Sequence, residues 1–361
     1  MGNALENFTV SYSPKPLILN SCMLPTDYIK IDGIENQEFK KVWLVEGVIE
    51  EGRAYQWFGP WKQGKTLAVM DVCAHLSLGM EWANRRSTPS YVIWVASESY
   101  EDVMRRMAAW KLYHNKTGHF PFVIRTKPLH LDKLAFAKTL LEEVNTIKKA
   151  RPDLPVLLVI DTVARSMSGE KSENDEGLRA FADNMLDIIV RPAKVAAIFV
   201  HHSGHGDKGR SRGWSGFPGA LDGSIQVSMD KDKGLSRVNV VMTEMRSGKG
   251  SDSFQFAIEV QKIVGQDNFG NTIEEPVLRF LGDVPARKQK PGGKNQKNLL
   301  ETLQKMTKEK KEGKVLIVDV RNSCINGSPR LMSSDGFLDA KQGLIERMLI
   351  SESCGFIEII Q

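Results

Sequence analysis

The octet Gly59-Pro60-Trp61-Lys62-Gln63-Gly64-Lys65-Thr66 constrains this chain more than any other stretch. It follows the short apolar run Tyr55-Gln56-Trp57-Phe58 and precedes Leu67 through Leu78, which is mostly apolar and free of proline. That order predicts strand, glycine-bounded loop and helix, the context a G-x-x-x-x-G-K-[ST] phosphate-binding pattern needs. Backbone N–H groups of such a loop and of the helix's first turn converge on one concavity, where the helix dipole also favours an anion. Gly59 and Gly64 permit a bend that a side chain would obstruct. Lys65 supplies a point charge for β- and γ-phosphates, and the Thr66 hydroxyl is placed to ligate Mg²⁺. Residues Gly59 through Leu67 are therefore the expected nucleotide cradle. The alternative, an ordinary glycine turn, leaves the flanking strand and helix without a purpose.

With 361 residues the chain exceeds the usual size of one compact domain, so a large domain and a small one are expected. At 41% hydrophobic and 26% charged residues it belongs with globular proteins, and a net charge of +5 permits an anionic partner without demanding one. No apolar run reaches membrane-spanning length, and Met1 to Glu6 lack the basic and apolar regions of a signal peptide. Cys22, Cys73, Cys324 and Cys354 show no C-x-x-C spacing, which argues against a zinc module or a disulfide framework and for a reducing, cytoplasmic compartment.

From Val42 onward strand-like and helix-like segments alternate. Tyr91–Ala96, Phe122–Ile124, Val156–Asp161 and Ala196–Val200 read as strands, while 101–113, 133–149 and 176–190 read as helices. The implied fold is α/β, a mostly parallel twisted sheet with helices on both faces. Strand-like runs at 224–228, 236–243 and 253–260 suggest antiparallel additions at a sheet edge. The boundaries predicted are an arm over 1–40, the main domain over 41–282, a basic Pro/Gly linker over 283–297 and a winged-helix-like domain over 298–361.

Five further features carry chemistry. Val156–Asp161 is an apolar run ending in an acid, placed to hold a Mg²⁺ water shell opposite Thr66. Glu98 follows the strand after the P-loop helix, where a carboxylate can orient and deprotonate an attacking water; a solvated loop acid is the plain alternative. His201-His202 ends another buried strand, so an imidazole there can sense a terminal phosphate. A core histidine or, with His205, a metal cluster are its alternatives, the last lacking a completing ligand. The glycine-rich stretch 203–214 carries Lys208, Arg210 and Arg212, suited to nucleic-acid phosphates or to a merely solvated loop. Arg246, in a turn after a strand, can reach a neighbouring subunit's nucleotide as an arginine finger; an ordinary turn arginine is the plain alternative.

Together these motifs resemble the RecA/DnaB-like hexameric NTPases, most closely the RepA-type replicative helicases of plasmids and phages. The likeness spans about residues 42–281. It rests on the P-loop, Ala96-Ser97-Glu98, Val159-Ile160-Asp161, Val200-His201-His202-Ser203-Gly204 and Arg212-Gly213-Trp214-Ser215-Gly216. The resemblance implies ATP and Mg²⁺ as cofactors, Glu98 as base, Asp161 as the magnesium-side acid, His202 as γ-phosphate sensor and Arg246 as a finger acting in trans. DnaB-like proteins often carry Lys two residues before that arginine; here the position is Glu244. The implied partners are single-stranded DNA, other copies of the chain in a ring, expected to be a hexamer, and a primase or loader; no membrane is implied. A non-translocating ATPase that switches DNA binding or assembly is the second reading, and a small-molecule kinase a third.

Overall fold

The computed structural model describes residues 31, 33–169, 175–204, 211–232, 235–246, 252–283, 293–310, 313–327, 329, 331–346, 349–353 and 356–359. The chain divides into two units, Met1–Lys41 and Val42–Gln361. The described end of the first holds one 3-10 turn, Ile34–Asn36.

The second unit opens with a two-stranded antiparallel ribbon, β1 (Trp43–Val45) and β2 (Ile49–Glu50). Alternation follows: β3 (Ala54–Gly59), α1 (Lys65–Ser77), β4 (Tyr91–Ala96), α2 (Tyr100–Tyr113), β5 (Phe122–Arg125), α3 (Leu134–Ala150) and β6 (Val156–Asp161). Next come α4 (Asp175–Asp183), continued by a π-helical stretch (Asn184–Val190) and the turn α5 (Arg191–Ala193), then β7 (Ala196–His202) and the short α6 (Phe217–Ala220). Four long strands complete the sheet: β8 (Gly223–Asp232), β9 (Leu235–Met245), β10 (Ser253–Gln266) and β11 (Thr272–Asp283). The order is β11-β10-β9-β8-β3-β7-β6-β4-β5. Strands β8, β3, β7, β6, β4 and β5 run parallel, whereas β8 to β11 pair antiparallel.

The central parallel strands β3, β4, β6 and β7 are buried on both faces, which is why they read as continuous apolar runs. Alternate side chains still go to opposite sides. Val92, Trp94, Leu157 and Val159 join Trp57, Val72 and Trp110 in a core under α1 and α2. Ile93, Val95, Leu158 and Ile160 join Leu140, Phe181, Ile189 and Phe199 in a second core under α3 to α5. A one-residue slip would exchange these two sets, so the register of the central strands is strongly specified.

The mostly parallel sheet agrees with the sequence, and so do the antiparallel additions. Strand β11 has no counterpart among the expected strands: Pro276 and the acidic Glu274 and Glu275 disguise it. As the sheet's last strand it needs hydrogen bonds on one side only, and there a proline is tolerated. The helix expected over 176–190 is present but loosens into the π stretch after Asp183.

After β11, α7 (Lys294–Lys310), β12 (Lys314–Leu316), α8 (Ile317–Ile325), α9 (Ser334–Glu346), β13 (Ile350–Ser353) and β14 (Phe356–Ile359) enclose an apolar cluster of Leu299, Leu303, Val320, Phe337, Leu344 and Ile357. The three strands are antiparallel in the order β12-β14-β13. Helix α7 starts inside the stretch expected as linker. Its polar residues 294–298 simply form the first turn of an amphipathic helix. Helix α8 is rich in β-branched residues and weak in intrinsic helix preference; burial of Val320 and Cys324 decides it.

Candidate nucleotide site

Because β3, β4, β6 and β7 are parallel, their C-terminal ends share one edge of the sheet, where open α/β folds gather their ligands. Gly59 pairs with His202 across β3 and β7, and Ala96 pairs with Asp161 across β4 and β6. The four motif-bearing strand ends thus meet although up to 143 residues of sequence (59 to 202) separate them. They line a cleft of about 360 Å³ that contains Trp61 to Leu67, Glu98, Asp161 and His202.

The loop's glycines act by different means. Gly64 is left-handed, φ +82°, at the N-cap of α1. Gly59 lies against β8: a Cβ there would sit 2.0 Å from the Val227 carbonyl oxygen. Pro60 precedes the exposed Trp61, whose ring carries the Lys62 ammonium at 4.2 Å. The Gln63 side-chain carbonyl accepts a hydrogen bond from Met229 N at 2.7 Å, tying the loop to β8.

Lys65 is nearly buried, and its ammonium donates to Gly59 O (3.0 Å), Pro60 O (2.8 Å) and His202 Nδ1 (3.3 Å). Burial pulls its pKa down to about 8, against the opposing pull of Asp161 and Glu98. A buried ammonium whose hydrogen-bond partners are all uncharged is poised for an anion. Burial lowers the His202 pKa, with Lys65 adding to the effect, so the ring is neutral and its Nδ1 can accept from the ammonium. The Thr66 hydroxyl donates to Asp161 Oδ1 at 3.4 Å. Burial, reinforced by Glu98, raises the Asp161 pKa to about 7. This pair offers a hydroxyl and a buried carboxylate oxygen side by side, the hard oxygen donors that suit Mg²⁺.

Glu98 is fixed by a residue that motif reading passes over. The Thr162 hydroxyl donates to its Oε1 at 3.2 Å, and Ser97 Oγ lies 2.6 Å from Ser166 Oγ beside it. Motif reading also misses Arg106. It lines the cleft from α2, its Nε is buried without a hydrogen-bond partner among the described residues, and it stands 3.9 Å from Glu275 Oε2. Its only sequence signal is its place two turns along the helix that follows Glu98.

His201 turns away from the cleft and is fully buried, with Nε2 donating to Arg212 O at 2.8 Å. Arg212 N donates to His202 O (2.8 Å), Ser203 bridges Ser211, and Ser203 N donates to Gly59 O at 3.0 Å. The loop's first residue is therefore anchored to the P-loop strand and its far end to the end of β7, while Lys208 and Arg210 lie outside the described residues. Arg246 is not in this chain's cleft. It is exposed, donating through its side chain to Gly219 O (2.6 Å) and through its backbone to Asp222 O (2.8 Å).

A family model described as AAA domain matches residues 20–208, more than half of the chain. Comparison with curated proteins by sequence gives no match. Among solved structures, a KaiC-like protein from Pyrococcus horikoshii aligns at 17% identity and a TM-score of 0.42, covering 67% of this chain and all of that one. A second structure, described as the ATPase domain of its protein, aligns at 11% identity and 0.45, covering 67% and 94%. A DnaB-like replicative helicase, solved in a study of its interactions with primase, aligns at 12% and 0.45, covering 67% and 66%. With the P-loop at the head of α1, acids and a histidine on neighbouring parallel strand ends, and the family match over this region, the chain belongs to the AAA domain family and is a P-loop ATPase.

Proposed function

We propose that this ATPase is a RepA-type helicase that moves along single-stranded DNA during replication of a plasmid, phage or mobile element. The observation that carries the reading is one shared acceptor. Gly59 O receives both the Lys65 ammonium and the backbone N–H of Ser203, the residue that opens the basic loop, while Lys65 also holds His202. A γ-phosphate competing for Lys65 disturbs His202 and the loop's anchor together, linking the nucleotide to Lys208, Arg210 and Arg212 on the loop.

In this reading residues 59–67 cradle ATP and Lys65 neutralises its phosphates. Glu98, oriented by Thr162, takes the proton from the attacking water, and His202 reads the terminal phosphate. Thr66 and Asp161 would hold Mg²⁺, which when bound offsets charge on the phosphate oxygens. Arg246 serves a neighbouring protomer's site, so ATP lies between protomers of a ring, most simply a hexamer, and a primase or loader brings it to DNA. Residues 1–40 form an arm and 41–282 the motor; the expected basic linker of 283–297 ends where α7 begins at Lys294, and the segment from there to 361 is a winged-helix-like DNA contact.

The test is ATP hydrolysis with and without single-stranded DNA, beside strand separation. Wild type is expected to be stimulated and to unwind. Lys65→Ala should abolish hydrolysis, and Lys208→Ala with Arg210→Ala should remove only the stimulation. ATP-dependent DNA binding by an assembled particle that never unwinds would replace this reading with the non-translocating switch.

A further inference from the structure

Helices α1 and α2 both start at the nucleotide cleft, with Thr66 in the first turn of one and Ser99 capping the other. Away from the cleft three potential ligands converge. Asp71 and His75 lie one turn apart on α1, His114 is the C-cap of α2, and one ligand atom from each lies within 4.8 Å of the other two. None of them takes part in the nucleotide site.

The chemistry of the cluster is unbalanced as it stands. Asp71 is buried, and its carboxylate oxygens accept from two neutral indoles, Trp110 Nε1 at 3.0 Å and Trp82 Nε1 at 2.9 Å. A buried carboxylate solvated by neutral donors favours a cation beside it. His114 Nε2 is buried without a hydrogen-bond partner among the described residues, a lone pair or N–H with nothing to meet. The His75 ring is oriented by Nδ1–H donating to Asp71 O at 2.8 Å, the kind of backbone bond that fixes a ligating imidazole. Both imidazoles lie at helix C-terminal ends, where the dipoles add partial negative charge. Beside the cluster is a cavity of about 240 Å³ reached by Glu81, which is exposed and can present a further oxygen.

We propose that Asp71, His75 and His114 form a binding site for a zinc-like divalent cation, clamping together the distal ends of the two helices that frame the nucleotide. Two imidazoles and a carboxylate form a donor set of the zinc type, and the cavity side leaves room for Glu81 or water as a fourth ligand. Magnesium is disfavoured by the nitrogen ligands.

The test uses the full chain without a histidine tag, stripped with EDTA and titrated with Zn²⁺ or Co²⁺ in excess Mg²⁺, which keeps the Thr66–Asp161 oxygens out of the readout. Wild type is expected to bind one equivalent, with a rise in Tm under Zn²⁺. Co²⁺ should give visible d–d absorption free of thiolate charge transfer and should quench tryptophan emission, because the Trp110 ring stacks on His114 at 4.3 Å. His114→Gln, at a half-buried position, should keep the far-UV circular dichroism and ATPase activity of wild type while weakening Zn²⁺ binding by about a hundredfold. His75→Gln should act in the same direction. Zn²⁺ affinity unchanged in His114→Gln, thiolate charge transfer from the cysteines, or no micromolar Zn²⁺ binding by wild type would overturn the assignment.

Discussion

Stability of the ATPase unit should fall in mild acid, and His201 should be the cause. The ring is fully buried, its Nε2–H is committed to Arg212 O, its Nδ1 has no partner among the described residues, and Phe217 stands edge-on at 5.6 Å. A proton on Nδ1 would place a charge against apolar walls, so burial holds the pKa at about 4 instead of the ordinary 6.5. The unfolded chain takes up that proton below about pH 6.5, and the folded chain does not until about pH 4. The stabilisation is therefore complete above pH 6.5 and is lost as pH falls towards 4. That difference in proton affinity corresponds to about 3 kcal/mol. His201→Gln keeps an N–H for the Arg212 carbonyl but cannot titrate. It should be less stable than wild type at pH 7.5 by about 1–2 kcal/mol, through imperfect packing, and equal or better near pH 4.5. Urea unfolding followed by tryptophan emission measures this cleanly, because all seven tryptophans precede residue 215 and none reports on the C-terminal cluster. Parallel stability profiles for the two proteins from pH 7.5 to 4.5 would refute the reasoning.

Other expectations follow from single contacts. Gly59→Ala drives a methyl into the Val227 carbonyl, and the overpacking should destabilise by about 1–3 kcal/mol, read as a lower urea midpoint together with weaker nucleotide binding. Glu98→Gln should lower the hydrolysis rate by about a hundredfold or more with nucleotide affinity nearly unchanged. Thr162→Val, which removes the hydroxyl that holds Glu98, should give a smaller loss in the same assay. Leu303→Ala opens a cavity in the small core of α7 to α9 at a cost of about 2–5 kcal/mol. Limited proteolysis should then cut within 298–361 while DNA-independent ATPase activity persists; an unchanged digestion pattern would count against that core's independence.

Much of the nucleotide edge was legible before any coordinates. A P-loop is a local object: glycine spacing, the preceding apolar run and the following helix sit within about twenty residues, so short-range backbone preferences define it. The acids and the histidine were legible for a related reason, since an apolar run long enough to be a buried parallel strand ends in a polar residue where it leaves the sheet. Asp161, His202 and Glu98 each mark such an exit.

Tertiary structure alone decided which exits meet. Strand order places β7 between β3 and β6, and no local pattern encodes that, because it depends on how far-separated apolar faces are buried together. The same holds for Thr162 against Glu98, Arg106 in the cleft and Pro276 on the last strand, each an unremarkable residue until a distant partner arrives. It holds most for Asp71, His75 and His114. One helical turn joins the first two, but 39 residues separate His75 from His114. Only the packing of α1 against α2 over the sheet brings the three together, since burying both helices' apolar faces leaves their C-terminal ends nowhere else to go.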